Sequence, residues 1–379
     1  MRPVFVLILH PAAPLDAGPL VRALADARRA LAERQRGAFL AAGADAAEIV
    51  AGPPDGLSFG ERLEAEVRAR GVEAGEQTAA GGVIVLGSGG LPLARAADLR
   101  RFVEVAAGPG GHALANNRYS ADVVAISRAA DLAGLPPLPA DNALPRWLEE
   151  RAGVTVTDLR SRWRFGVDID TPLDLIVLRD PAARQLHDTA PLIRERLAAL
   201  ADVTSNRRAE LLVAGRVSAR TLAWLERGVA CRVRALIEER GLRAASALAQ
   251  SGATGNARAT GNARPPRSIL GELLDRDGPE SLARTVSRLA DAAVIDTRVL
   301  FAHRAGATEA ALPPTAWPHA EERYASDLLL PASIADPWLR ALTASAATSP
   351  PDHPILLGGH TMLNGGLRLL AERARAGAR

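Results

Sequence analysis

Continuous apolar runs alternate with stretches of helical spacing along most of this chain. Val4 to Leu9 is apolar throughout, as a strand covered on both faces requires. Leu20, Leu24, Ala27 and Leu31 recur at the spacing of one helix face, which predicts a helix over 20–40. The same reading gives a short strand at Ile49-Val50, a helix over 57–70 and a strand from Val83 to Leu86 that runs into Gly87-Ser88-Gly89-Gly90. A helix over 96–105, a strand over 121–127, a helix over 143–151 and an edge strand over 154–157 follow. Asp168 to Thr171 then leads into a helix over 172–178, with Pro172 near its first position. This alternation predicts an α/β fold, a mostly parallel sheet in a three-layer arrangement, spanning 1–180.

Residues 181–209 read as a helical connection, and 210–379 as a second α/β domain. Its predicted strands are 211–214, 231–237, 293–301 and 354–357; its predicted helices are 221–227, 280–291, 336–345 and 367–376. Ala-Thr-Gly-Asn-Ala-Arg occurs twice in tandem, at 253–258 and 259–264. A duplication with no apolar residue larger than alanine cannot anchor in a core, so 250–267 is predicted to be a mobile loop.

Composition narrows the function classes. At 379 residues with 48% hydrophobic and 23% charged, either half can bury a core. No run reaches the roughly 18 apolar residues of a membrane span, and the N-terminal run is too short for a signal peptide, so the expected compartment is the cytoplasm with no membrane partner. The single cysteine, Cys231, excludes an intrachain disulfide and a multi-cysteine metal site. The chain has no lysine, so all 46 basic residues are arginine. A lysine Schiff base, a P-loop lysine and a lysine general base are thereby excluded, and any phosphate clamp must use arginine, backbone amides or a metal. The net charge is only +3; the high pI reflects arginine's pKa rather than a nucleic-acid partner, and a small-molecule substrate is expected.

In open parallel sheets, ligands sit beyond the carboxyl ends of strands. Three features fall there in the first half. Gly87, Ser88, Gly89 and Gly90 form a glycine bend that can approach a phosphate, or a tight strand-to-helix connection with no ligand. Asn116 and Asn117 can read a base or ribose edge, or fill a turn. Asp168 and Asp170, one residue apart in extended chain, can share a hard cation, while Asp170 or Thr171 can also cap the following helix. In the second half, Gly358-Gly359-His360 follows a strand and precedes a helix, a weak anion-site pattern. Glu238, Glu239, Asp296, Arg298, His303 and His360 lie near predicted strands or strand ends, where a histidine beside carboxylates can act as acid or base. Surface ion pairs and a satisfied core histidine are the alternative.

Asp168-Ile169-Asp170-Thr171-Pro172 with Asp174-Leu175 resembles the closing motif of the MobA-like nucleotidyltransferases, which include the guanylyltransferases of molybdenum-cofactor and 2-phospho-lactate metabolism. Val83 to Leu99 resembles their central strand and turn, and Phe59-Gly60-Glu61-Arg62-Leu63 resembles a segment of bacterial glycosyltransferase-like proteins of the same fold. The resemblance covers about 1–180. It implies Mg²⁺ or Mn²⁺ held by Asp168 and Asp170, a nucleoside triphosphate donor, and transfer of a nucleotidyl group to a small phosphorylated metabolite. Gly90 stands where the family usually has an aspartate, and no glycine cluster with lysine follows the first strand; Arg22, Arg28 or Arg29 would have to substitute. Two alternatives stay open: a catalytically reduced nucleotide-binding or regulatory protein, and a glycosyltransferase-like enzyme using a nucleotide sugar. The second half resembles no family.

Overall fold

The computed structural model describes residues 2–52, 56–70, 81–138, 141–187, 189–238, 266–306 and 316–377. The chain divides into two compact units, Met1–Ile169 and Asp170–Arg379. Both are α/β.

The first unit is built on six strands: β1 (Val4–Pro11), β2 (Ala46–Gly52), β3 (Gly82–Gly87), β4 (His112–Ala115), β5 (Val123–Ile126) and β6 (Thr155–Asp158). They lie in the order β2-β1-β3-β5-β4-β6. β5 alone runs antiparallel to its two neighbours, so the sheet is mixed but mostly parallel. Strand alternation sorts the apolar residues onto two faces. Val4, Val6, Ile8, Ile84 and Leu86 meet Phe39 of the helix Pro19–Ala41 and Leu99 and Phe102 of the helix Ala96–Ala106. Leu7, Val83 and Val85 meet Leu63 and Val67 of Phe59–Ala69 and Leu148 of Leu144–Glu150. These are the three predicted layers, and they explain why β1 is apolar from Val4 to Leu9.

β4 has no counterpart in the sequence reading. Its His-Ala-Leu-Ala stretch lacks the β-branched residues that mark a strand, and its place in the sheet comes from pairing with β5 and β6 on either side.

The second unit has four parallel strands: β7 (Glu210–Gly215), β8 (Arg232–Ile237), β9 (Ala292–Asp296) and β10 (Ile355–Gly358), in the order β10-β9-β7-β8. β7 has β8 on one side and β9 on the other, so the crossover from β7 to β8 runs one way and that from β8 to β9 runs back past β7. The helices Pro172–Leu178 and Pro191–Ser205 belong to this unit. The predicted strand over 293–301 is corrected. β9 stops at Asp296, whose carboxylate accepts the Arg298 N–H at 3.1 Å and starts the helix Thr297–Ala305. Arg298 and His303 therefore stand on a helix. The helix Ile269–Asp277 was not anticipated. The predicted mobile loop over 250–267 lies outside the described residues except for 266 and 267, and Glu239 lies outside them as well.

Candidate functional site

In the first unit, the glycine bend, the asparagine segment and the first motif aspartate come together at one rim of the sheet. Gly87 donates its N–H to Asp122 O at 3.1 Å, Ser88 to Leu9 O at 2.9 Å, and Gly90 to Gly87 O at 2.9 Å. Gln35 on the first helix donates to Gly90 O. Ile169, the residue after Asp168, donates its N–H to Gly89 O at 2.9 Å, and its own carbonyl accepts Arg28 Nε at 2.6 Å. The absence of a side chain matters at Gly89, where a Cβ would lie 2.6 Å from Ile169 O. Asp168 itself is buried.

This geometry decides what the bend can offer. The amides of Gly87, Ser88 and Gly90 are already engaged within the protein and do not point at a ligand. Asn116 is likewise committed: its Oδ1 accepts from Asp122 N (2.9 Å) and Val123 N (3.3 Å), and its Nδ2 donates to the Asp122 carboxylate (2.7 Å) and Phe165 O (3.1 Å). It is a bracket between loops. Asn117 Oδ1 accepts the Tyr119 N–H at 3.0 Å. Positive charge at this rim comes from arginine. His10, at the end of β1, is buried and hydrogen-bonded to Ser88 Oγ at 3.1 Å. Burial lowers its pKa from the usual value, and the charges of Arg29 and Arg28 lower it further.

The second half of the motif opens the second unit. Thr171 and Asp174 form a capping box on the helix Pro172–Leu178, with Pro172 as its first residue. Asp174 Oδ2 accepts from Asp170 N at 2.9 Å, Thr171 N at 2.7 Å and Thr171 Oγ1 at 3.2 Å. Burial, reinforced by the Asp170 charge, pushes the Asp174 carboxyl up to about 7. The Asp170 side chain is left to face other groups: its Oδ2 lies 3.2 Å from Arg298 Nη1 and 3.7 Å from His360 Nδ1. Burial alone would lower the Arg298 pKa; the carboxylates of Asp170, Asp296 and Asp327 outweigh it and hold the guanidinium firmly charged. Asp327 is buried and raised well above the usual carboxylate range by desolvation, against the pull of Arg298. Gly359 lies under Arg298, where a Cβ would be 3.6 Å from Cζ, and a Cβ on Gly358 would meet Leu173 at 3.1 Å.

The five described charged candidates of the second half fall into two groups. Arg298 and His360 face Asp170, and Asp296 accepts the Arg298 N–H. Glu238 and His303 meet instead at the start of the helix Ile269–Asp277. Glu238 accepts from Ser268 Oγ and Ile269 N, each at 2.6 Å. His303 Nδ1 accepts the Ser268 N–H at 3.1 Å, and Nε2 lies 3.0 Å from Asp275 Oδ2. An Nδ1 that accepts must be bare, so the ring proton sits on Nε2 and donates to Asp275. This is a satisfied core histidine. Cys231 is buried and its thiol is pushed up to about 11 by desolvation, so it is a small core residue rather than a nucleophile.

Asp168, Asp170 and His360 each offer one oxygen or nitrogen ligand atom suited to a divalent cation. Asp170 and His360 meet within the second unit, and Asp168 is joined to Asp170 through Ile169 alone. Sequence reasoning missed His10 and Asp327, and it named Asp174 in the motif without its capping role. A polar residue ending an apolar strand was a visible signal for His10; nothing in the local pattern marks Asp327.

No described helix is long and apolar enough to cross a membrane. No family model, curated protein or solved structure matches the chain.

Proposed function

We propose that this chain is a divalent-cation-dependent nucleotidyltransferase, moving a nucleotidyl group from a nucleoside triphosphate to a small phosphorylated metabolite. The observation that carries this reading is the 2.9 Å hydrogen bond from Ile169 N–H to Gly89 O, which ties the residue between the two motif aspartates to the glycine bend. Arg28 and His10 stand at the same rim and supply donors that a lysine-free chain must find elsewhere.

By the resemblance, the motif aspartates Asp168 and Asp170 would hold the cation; within the second unit His360 Nδ1 lies beside Asp170, and a mixed oxygen and nitrogen donor set fits Mn²⁺ at least as well as Mg²⁺. When bound, the cation neutralises charge on the triphosphate and on the departing pyrophosphate. An acceptor phosphate oxygen attacks the α-phosphorus. The new O–P bond forms as the bond to the α,β-bridging oxygen breaks, and pyrophosphate leaves with that electron pair. Arg28 orients the phosphates. His10, with its lowered pKa, is neutral at pH 7 and contributes hydrogen bonding without charge.

The test is pyrophosphate release from each nucleoside triphosphate with Mn²⁺ or Mg²⁺ and a panel of phosphorylated acceptors. Asp168→Asn is expected to reduce release about a hundredfold or more. Undiminished release in that variant defeats the proposal. A second reading, a nucleotide-binding protein without turnover, is favoured by the committed amides of Gly87, Ser88 and Gly90 and by glycine at position 90. It expects thermal stabilisation by a nucleotide with no pyrophosphate formed.

A further inference from the structure

Two guanidinium groups are held against each other on the second unit, and one of them has no counter-charge. The arrangement starts at the carboxyl end of β7, where Gly215-Arg216-Val217-Ser218 leads into the helix Ala219–Gly228. Asn364, in the π-helical turn Met362–Gly366, fixes this loop. Its Oδ1 accepts the Ser218 N–H at 2.9 Å, and its carbonyl accepts from Thr221 Oγ1 at 3.2 Å. At the other end of the pair, Arg375 Nη2 donates to Gly228 O at 2.6 Å. The helix Ala219–Gly228 and the one that continues as Leu367–Gly377 therefore lie side by side and run the same way. Arg368 stands one turn beyond Asn364 on the same face, and Arg220 sits between Ser218 and Thr221, which brings the two arginines together.

Their surroundings differ. Arg368 has Glu372 at 2.7 Å. The Arg220 side chain has no carboxylate and no hydrogen-bond partner among the described residues, and its Nε is closed off from solvent. Burial and the Arg368 charge both lower the Arg220 pKa, and no acidic group offsets them. Arg216, in the loop, has no ion pair with a described residue either. A half-buried guanidinium facing a second one is repelled and poorly solvated, and a bound anion relieves both costs. Main-chain donors stand at the same place. Ser218 Oγ takes the Thr221 N–H, and the first intrahelical bond is from Leu222 N to Ser218 O, so the N–H groups of Ala219 and Arg220 are unused. Ser218 and Ala219 are exposed, so the site is open to solvent and needs no cavity.

A phosphate brings up to two charges and oxygens facing several directions, which suits donors arriving from two helices and a loop. A carboxylate brings one charge in one plane. We propose that the second unit binds the phosphate group of a small phosphorylated molecule between Arg220 and Arg368, with Arg216 and the amides of Ala219 and Arg220 beside it. The site lies wholly within the second unit and does not depend on the proposed transfer chemistry.

Isothermal titration calorimetry on the full chain, in EDTA and at matched ionic strength, tests the proposal with inorganic phosphate, glycerol phosphate and succinate. At least one phosphate is expected to bind more tightly than succinate. Tighter binding of glycerol phosphate makes a phosphorylated metabolite the ligand, and equal binding makes it free phosphate; both support the site. Arg220→Gln is expected to weaken binding about tenfold or more. Arg227→Gln removes an exposed charge at the far end of the same helix and is expected to leave binding unchanged, as is Asp168→Asn. Absence of binding by both phosphates, succinate binding as tightly as either, full binding by Arg220→Gln, or an equal loss in Arg227→Gln would each overturn the proposal. The first two outcomes are read on the unmutated chain, so the result does not rest on a variant folding. Pyrophosphate release is a different readout, and its failure leaves the phosphate result standing.

Discussion

His10 shows how a single side chain links the fold to the proposed chemistry. It ends an apolar strand, is buried, and shares a hydrogen bond with Ser88 beside two arginines. Its pKa in the folded protein lies below the ordinary value of 6.5, so the unfolded chain binds the proton more readily. Stability from this group is therefore complete above about pH 6.5 and is lost as pH falls below that value toward the folded pKa. Thermal unfolding followed from pH 7.5 to 5 is expected to show a fall in Tm that His10→Gln reduces. An identical pH profile in the variant would remove the electrostatic account. At the same scale, Asp174 explains why the Thr-Pro-Leu-Asp part of the motif is where it is. The carboxylate accepts two main-chain N–H groups and a hydroxyl at the start of a helix, which is a structural task. Asp168 and Asp170 are then the members of the motif left for chemistry.

At the scale of elements, the strands of the first unit were legible because their sequence carries its own period. β1 from Val4 to Leu9 and β3 are apolar since the sheet is covered on both faces, and the helices between them begin and end close to where the spacing places them. β4 was not legible, because a four-residue strand of small residues is held by its neighbours rather than by its own preference. β9 was legible only in its first half. Val-Ile-Asp-Thr-Arg-Val-Leu-Phe keeps an apolar character through both strand and helix, and the change of period is fixed by one capping carboxylate at Asp296. The linkage of His303 to Ser268 and Asp275 was also hidden, since it joins residues 28 and 35 positions apart. That linkage depends on Gly271. A Cβ there would lie 2.4 to 2.9 Å from the His303 ring, so the ring must move and release both hydrogen bonds. Gly271→Ala is expected to destabilise the protein by about 2 kcal/mol despite alanine's better helix propensity. Chemical denaturation measures this directly, and a neutral or stabilising result would show that the ring has room to shift.

Across the whole molecule, charge is spread thinly outside and concentrated inside. The chain carries a net +3 with arginine as its only basic side chain besides histidine, and several of the ion pairs among the described residues are exposed helix pairs of small worth. The second unit differs. Asp170, Asp174, Asp296 and Asp327 surround one largely buried guanidinium, Arg298, and this arrangement is stable only while that positive charge is present. Replacing Arg298 by methionine keeps much of the volume and removes the charge. The expected loss is about 3 kcal/mol, or roughly 8 °C in Tm for a unit of this size. The carboxylates left behind can protonate, so the loss should be smaller at pH 5 than at pH 8. If Asp170 and His360 hold a divalent cation, Mn²⁺ should restore part of the lost stability in Arg298→Met, because it returns positive charge beside the same carboxylate. Scanning calorimetry at both pH values, with and without Mn²⁺, checks each step. An unchanged Tm at pH 8 would mean that water already screens the four aspartates, and a pH-independent loss would mean that Arg298 acts through packing instead of charge.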